Sequence, residues 1–385
     1  MARPNHIQKV DGYDELLRES AVLEKYGFDY ETKKGELRSI INMLHPEKLD
    51  LTVSEITSET ASTKSMKLVS KDGHLPPFQA GQYINVFVET GGIRTSRPYS
   101  IASSPTQTGY YEIAVRRVED GFVSNYLLDE LKPGDQLESS APSGNFHYNP
   151  LFSGNQLALI AGGSGITPFM SMIRELADKN LSRRLHLLYG CRVEDDVLYR
   201  EELERISSAH RNFTWDLVVS EPAPSCSGLK GFINSSLIKE RLGGPDWMFY
   251  VCGPEAMYQF CLPELEILKI PARKTKVEVM GAPKNIVSYP GWPENVKAVD
   301  VFKVAVKGKK TISATASEPL MISLERAGLA IPALCRSGEC SLCRTKLVSG
   351  KVYQPNGVKL RKSDRAFGYI HPCMAYPITD IEILL

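Results

Sequence analysis

The stretch CRSGECSLC, residues 335–343, decides how this chain is read. It places three of the eight cysteines of a 385-residue sequence within nine positions, around a single glycine. No apolar run is long enough to span a bilayer, and the start, MARPNHIQKVDGYDELL, lacks the apolar core of a signal peptide. The expected location is therefore cytoplasmic. Thiols stay reduced there, so clustered cysteines serve as ligands or catalysts rather than as disulfides. The apolar fraction of 42% and charged fraction of 24% are ordinary for globular protein. A net charge of +1 argues against an overall nucleic-acid or membrane-surface binder. The length fits about two to three domains.

The spacing is Cys335-x4-Cys340-x2-Cys343, with a distant Cys373 in YIHPCMAYP. This is the spacing of plant-type [2Fe–2S] centres. Two irons need four thiolates, and a tight loop supplies three while a separate segment supplies the fourth. Gly338 lets the loop bend so that backbone N–H groups approach the sulfurs, and Ser337 and Ser341 offer further donors. Zinc is the rival ligand, but zinc sites usually use two close pairs, and only Cys340 and Cys343 form one. The remaining alternative is four small buried thiols with no ligand. CRSGECSLCRTKLVSGKV resembles the cluster loop of plant-type ferredoxins, and residues 300–385 resemble the whole domain. The resemblance implies a β-grasp fold in which Cys335, Cys340, Cys343 and Cys373 bind one cluster.

Working outward, the rhythm of the chain changes four times. Residues 300–385 open with VFKVAVKGKKTISATA, a hairpin with a Gly-Lys turn, followed by the helix SEPLMISLERAGL with Ser317 as N-cap and Gly328 at its end. Residues 281–299, GAPKNIVSYPGWPENVKAV, read as a linker or surface strap. Residues 153–280 alternate strand and helix, from QLALIAGG to KTKVEVM, which predicts a parallel sheet wrapped by helices. Residues 49–152 carry short β-forming runs separated by Gly, Pro and Asp, which predict an antiparallel barrel or sandwich with one short helix at SNYLLDEL. Residues 1–48 form a helical extension. Tyr13, Leu16, Leu17, Leu23 and Tyr26 share one face, and Leu37, Ile40, Ile41 and Leu44 repeat the pattern before Pro46. Amphipathic helices of this kind complete a local core more often than they bind a partner subunit.

RPYSIASSP, residues 97–105, combines a guanidinium for phosphate, a stacking ring and a hydroxyl. DGFVSNYL, residues 120–127, starts a helix at Gly121 and Ser124 with free N–H groups. Together they resemble the ferredoxin–NADP reductase superfamily over about residues 50–280, in its FAD-type branch rather than its FMN-type branch. The resemblance implies that Arg97 and Pro98 lie against the flavin, with Arg97 on phosphate, Tyr99 on the ring and Ser100 near N5. Gly121, Phe122, Val123 and Ser124 would bind the pyrophosphate. AGGSGITPFMSM, residues 161–172, follows a strand and opens a helix. It departs from G-x-G-x-x-G. Its physics is similar: Gly162, Gly163 and Gly165 clear space, Thr167 caps the helix and Pro168 suits the first turn. It resembles the superfamily's NAD(P)H pyrophosphate loop. Cys252, Gly253 and Pro254 in YVCGPEAMY resemble its segment beside the nicotinamide, which makes Cys252, with Ser100, the expected catalytic pair. Cys191, Cys226 and Cys261 have no such context. In YGCRVEDDVLYREEL, Arg192 suits a 2′-phosphate while Asp195 or Asp196 suits a free hydroxyl, so NADH and NADPH both stay open. Many relatives end this module with an aromatic residue on the flavin; here VEVM runs into GAPKN instead.

The module order implies a reductase. NAD(P)H delivers two electrons as hydride, a [2Fe–2S] cluster carries one, and a flavin between them splits the pair. The expected partner is an electron-accepting protein such as an oxygenase component. Alternatives are an enzyme reducing a small molecule unaided, or a redox-sensing binding module. Residues 300–385 hold 13 Lys or Arg against 7 Asp or Glu. Lys359, Arg361, Lys362 and Arg365 crowd the approach to Cys373. This charge suits an acidic docking surface on the partner.

Overall fold

Leu49, Leu51 and Val53 are buried while Asp50, Thr52 and Ser54 between them are exposed or half-buried, the period of two that makes a one-sided strand. The computed structural model describes residues 13–25 and 30–385. They fall into two units, Met1–Glu47 and Lys48–Leu385, each described by itself.

The first unit contains α1 (Tyr13–Lys25) and α2 (Tyr30–Leu44). Leu16, Leu17 and Leu23 of α1 and Leu37, Ile40 and Ile41 of α2 are exposed. Tyr26, expected on the same face, lies outside the described residues. No helix among the described residues is long and apolar enough to cross a membrane.

The second unit opens with β1 (Leu49–Thr60), β2 (Thr63–Ser70), β3 (Tyr83–Thr90), β4 (Ile93–Ser100), β5 (Tyr111–Arg116), α3 (Phe122–Asp129) and β6 (Gln136–Ser139). The strands pair antiparallel in the order β4-β3-β6-β1-β2-β5. Their inward residues, among them Leu51, Met66, Leu68, Ile84, Val86 and Ile113, share one core with Val123 and Leu127 of α3.

Next come β7 (Gln156–Gly162), α4 (Thr167–Lys179), β8 (Arg184–Cys191), α5 (Arg200–Ala209), β9 (Phe213–Val219), β10 (Leu229–Lys230), α6 (Ser235–Leu242), β11 (Met248–Cys252), α7 (Glu255–Ile267) and β12 (Thr275–Glu278). β7 and β11 are buried almost throughout, as strands covered on both faces must be. The sheet is parallel, in the order β10-β9-β8-β7-β11-β12. The chain runs outward one way from β7 and returns on its other side at β11. The gap between β7 and β11 is therefore the topological switch point, where ligands of open α/β sheets bind at the carboxyl ends of strands. Ala80, Ala102, Ala114 and Phe146 of the first sheet's region pack into the core of the second. Arg174 of α4 ties the two together, donating to Ala102 O at 2.9 Å and to Glu112 Oε1 at 3.0 Å.

The last part holds β13 (Val301–Val306), β14 (Thr311–Thr315), α8 (Leu320–Arg326), β15 (Thr345–Ser349), β16 (Val352–Tyr353), α9 (Lys362–Ala366), β17 (Tyr369–Ile370), β18 (Tyr376–Pro377) and β19 (Ile381–Leu384). Five strands run β14-β13-β19-β15-β17, with α8 packed on them through Leu320 and Leu324. This is the β-grasp arrangement. The helix starts later than expected: Pro319, not Ser317, is its N-cap. The first turn finds other acceptors: Leu320 N donates to Ala375 O at 2.8 Å and Ile322 N to Pro319 O at 2.9 Å, so no hydroxyl is needed for these two. Residues 281–299 are a packed strap. Tyr289 bonds the Glu255 carboxylate of α7, and Trp292 packs 5.2 Å from Tyr353 and 6.3 Å from Tyr376.

Candidate functional site

The carboxyl ends of β7 and β11 lie side by side, with Ala161 opposite Cys252. Glycine makes this closeness tolerable. A Cβ on Gly165 would sit 2.2 Å from the Cys252 carbonyl oxygen, and one on Gly162 would sit 2.3 Å from Met257 Sδ and 2.9 Å from Pro254 Cδ. These glycines therefore serve first to seat the Cys252-Gly253-Pro254 segment against the loop after β7. Gly163 takes φ +51° beneath the Arg116 guanidinium. Thr167 does not cap α4: a 3-10 turn over Gly163–Ile166 precedes the helix, and Thr167 donates to Ser164 O at 2.7 Å. The hydroxyl is used inward, because the preceding turn already places Ile166 at the N-cap.

Above these ends a cavity of about 1730 Å³ opens, larger than the roughly 300–1,000 Å³ of a single small-molecule pocket. Arg97, Pro98, Tyr99 and Ser100 line it from β4, and Gly121, Phe122, Val123 and Ser124 from the start of α3. Gly162, Gly163, Gly165 and Thr167, with Arg192, Cys252, Gly253 and Pro254, line the other wall. Among the described residues no side chain caps α3, so the N–H groups of Phe122, Val123 and Ser124 remain available to an anion; that of Gly121, expected to be free, donates to Val118 O at 2.9 Å because the turn before the helix closes on it. Ser124 Oγ accepts from Val118 N instead. Arg97 is mostly buried; burial and the nearby Arg336 pull it down to about 10, so it stays charged at neutral pH. Burial, with the charge of Glu278, pushes the Cys252 thiol far up, so it is S–H and not thiolate. Phosphate-sized donors at both ends and a stacking ring in Tyr99 fit two dinucleotides.

Several lining groups were not singled out by motif. Arg116, at the end of β5, lies 3.5 Å from Asp196 Oδ2, so that carboxylate already has a partner. Asp195 is not part of the wall. Arg192 is exposed and has Glu221 Oε2 at 3.9 Å, an acid supplied by the segment after β9. The wall where β12 ends consists of Met280, Gly281, Ala282 and Pro283. Glu278, on β12 itself, is 8% exposed, and burial followed by the charges of Glu339 and Cys335 pushes its carboxyl up to about 8. A buried acid next to a strand end was invisible in a run of alternating residues such as KTKVEVM.

The cluster loop carries left-handed backbone at Arg336, Gly338 and Ser341. A Cβ on Gly338, at φ +79°, would crowd Met374 and Val358. The bend points three N–H groups at Cys335 Sγ: Ser337 at 3.5 Å, Glu339 at 3.4 Å and Cys340 at 3.3 Å. Sharing a proton with Cys340, and the N–H groups of Ser337 and Cys340, pull the Cys335 thiol well down despite burial. Cys343 Sγ lies 3.4 Å from Cys373 Sγ. His371 Nδ1 reaches Gly338 O at 3.1 Å, which requires its proton on Nδ1. Among the described residues no three His, Cys, Asp or Glu side chains converge on one ion. The thiols instead form two pairs, Cys335 with Cys340 and Cys343 with Cys373, which suits two irons with two ligands each better than one tetrahedral zinc. Cys373 lines the large cavity while Cys340 is exposed at the surface.

Comparison with known proteins gives the same three parts. An oxidoreductase FAD-binding domain matches residues 48–148, an oxidoreductase NAD-binding domain residues 159–262, and a 2Fe-2S iron-sulfur cluster binding domain residues 304–377. The ferredoxin reductase component of 3-ketosteroid-9-alpha-monooxygenase from Mycobacterium tuberculosis is 30% identical over 349 residues, 86% of this chain and 94% of that one. The glycine betaine monooxygenase reductase subunit of Chromohalobacter salexigens is 26% identical over 86% of this chain and 93% of its own. The solved structure of phthalate dioxygenase reductase, a modular structure for electron transfer from pyridine nucleotides to [2Fe-2S], superposes with a TM-score of 0.65 at 26% identity, covering 88% of this chain and 97% of that one.

Proposed function

The chain belongs to the ferredoxin–NADP reductase superfamily, in the group whose C-terminal [2Fe–2S] domain makes it the reductase component of an oxygenase-type system, and on that premise we propose how its residues do the work. When bound, FAD would supply an acceptor for the two electrons of a hydride and the cluster a one-electron carrier, so that one NAD(P)H would serve two one-electron acceptors and release one proton. The electron acceptor is a partner redox protein.

Arg97 would hold flavin phosphate, Pro98 and Tyr99 would contact the ring, and Phe122, Val123 and Ser124 would present N–H groups to the pyrophosphate, with Gly121, whose own N–H donates to Val118 O at 2.9 Å, turning the chain into the helix. Gly162, Gly163, Gly165 and Thr167 cradle the coenzyme's pyrophosphate, with Gly253 and Pro254 shaping the nicotinamide end. Ser100 and the neutral Cys252 thiol fix the reacting atoms in near-attack geometry; neither needs to move a proton. The observation that carries this reading is one cavity lined by all these segments and reached by Cys373. Cys335, Cys340, Cys343 and Cys373 hold the cluster, with Cys373 on the cavity side and Cys340 outward. The direction of flow is thus inward at the cavity and outward at Cys340.

The outward rim supports an acidic docking face on the partner. Arg361, Lys362 and Arg365 are exposed and have no ion-pair partner among the described residues, whereas Lys359 is paired with Glu339 at 2.6 Å; Phe367 at the end of α9 and Leu342 of the cluster loop are exposed as well. A cytoplasmic location fits the reduced thiols such a cluster needs. NADH is the preferred coenzyme, because a 2′-phosphate drawn to Arg192 would meet Glu221 while a 2′-hydroxyl would find an acceptor there.

Anaerobic titration of the purified chain with NADH and with NADPH, followed by absorption and EPR, tests this. Bleaching of a flavin spectrum followed by a reduced [2Fe–2S] signal is expected, with NADH favoured at least about tenfold in kcat/KM, roughly 1.4 kcal/mol. A preparation with cluster and flavin that neither coenzyme reduces would overturn the reading.

A further inference from the structure

A buried polar joint connects the flavin barrel to the cluster loop. Arg336, directly after the first cluster cysteine, forms an ion pair with Glu325 of α8, and the two side chains are 7% and 6% exposed. The same guanidinium donates across to β4, to Thr95 Oγ1 at 3.1 Å and Ser96 Oγ at 3.3 Å. Thr95 Oγ1 donates to Glu325 Oε2 at 2.9 Å and accepts from Arg97 Nη1 at 2.9 Å. A hydroxyl has one donor and two acceptor sites, and all three are occupied. Beside it, Asn85 Nδ2 donates to Ala333 O at 2.7 Å and to Ser96 Oγ at 2.9 Å.

Contacts between domains of one chain usually permit relative motion. A buried network in which the Arg336 and Asn85 donors all reach acceptors, with Asn85 Oδ1 left without a partner, favours a single arrangement instead. We propose that Arg336, oriented by Glu325 and Thr95, is a positioning residue that locks the cluster loop onto the flavin barrel in one register. Electrons then pass between two fixed sites, one at a time and twice per NAD(P)H, without a swinging domain. Thr95 also braces Arg97, so the group assigned to flavin phosphate and the loop bearing Cys335 share one anchor. This rests on the reading that the cluster is reduced from the flavin.

The test uses the full chain carrying FAD and cluster, in stopped flow under anaerobic conditions, with flavin and cluster reduction followed separately after NADH. In Glu325→Gln and Thr95→Val the ratio of cluster to flavin reduction rates falls at least about tenfold. The absorption and EPR signature of the cluster stays that of the wild type, and Thr95→Ser, which keeps the hydroxyl, restores the ratio. If Glu325→Gln does not fold, Thr95→Val decides, since Thr95 lies outside the cluster domain. An unchanged ratio in the variants, or a slowing that merely follows loss of cluster, overturns the joint. A wild type whose flavin is reduced but whose cluster never is would sink the functional reading, and the joint with it.

Discussion

Cys252 illustrates how far a single residue can be argued. Burial keeps it a neutral thiol, so its contribution is shape and contact, not charge. Cys252→Ala should slow flavin reduction by about 10²-fold, the scale of a roughly 1 Å misplacement, while leaving the flavin spectrum intact; rapid-mixing kinetics would show it. His186 offers a stability prediction far from the cavity. Its Nδ1 lies 2.8 Å from Thr214 Oγ1 and its Nε2 3.2 Å from Asp216 Oδ2, yet burial lowers its affinity for a proton. The unfolded chain, whose imidazole titrates near about 6.5, therefore binds the proton more readily than the fold does. Stability from this group is full above that pH and is lost as pH falls through the lower folded value. Denaturant midpoints measured between pH 7.5 and 5.5 should fall on acidification, and His186→Gln should flatten that part of the slope. RPYS, GGSGITP and CGP could be picked out as candidates because each is a run of a few consecutive residues, and the structure brings all three to the wall of one cavity. The Thr95–Glu325 contact was not, since 230 positions separate the two side chains.

At the scale of elements, the loop after β7 is under the tightest geometric demand. Gly165→Ala sets a methyl against backbone that cannot rotate away, with the Cys252 oxygen 2.2 Å off. It should destabilise the fold by about 1–3 kcal/mol and abolish coenzyme binding, read by thermal unfolding and NADH titration. Gly163→Ala meets only the tip of Arg116, although its φ of +51° adds strain. It should therefore be the milder of the two. The alternation of strand and helix was readable from hydrophobic period, and so was the antiparallel region. Helix starts were not. Ser317 and Thr167 have the chemistry of caps, but a proline in one case and a 3-10 turn in the other moved the first helical residue. Cap preference is worth only about 1 kcal/mol, and a short turn of fixed geometry outweighs it.

For the whole molecule, charge is divided unevenly. The last 86 residues carry a formal +6 within a chain of +1, leaving the remainder about −5. If the partner docks through an acidic face, electron transfer to it should fall as ionic strength rises, whereas reduction of the flavin by NADH should hardly respond. Lys362→Glu with Arg365→Glu should reproduce the effect of salt; a rate to the partner that is flat or rising with salt would remove that proposal. The strap has a further consequence. Trp292 is wedged beside Tyr353 and Tyr376, and Tyr289 and Lys284 both bind Glu255. Its hold is non-covalent on both flanks, so a protease nick between Pro293 and Lys297 should leave two fragments that elute together, coloured and competent. The peptide bond there would be dispensable only once the pieces have met, and separately encoded halves would have to find each other without the effective concentration that the strap supplies.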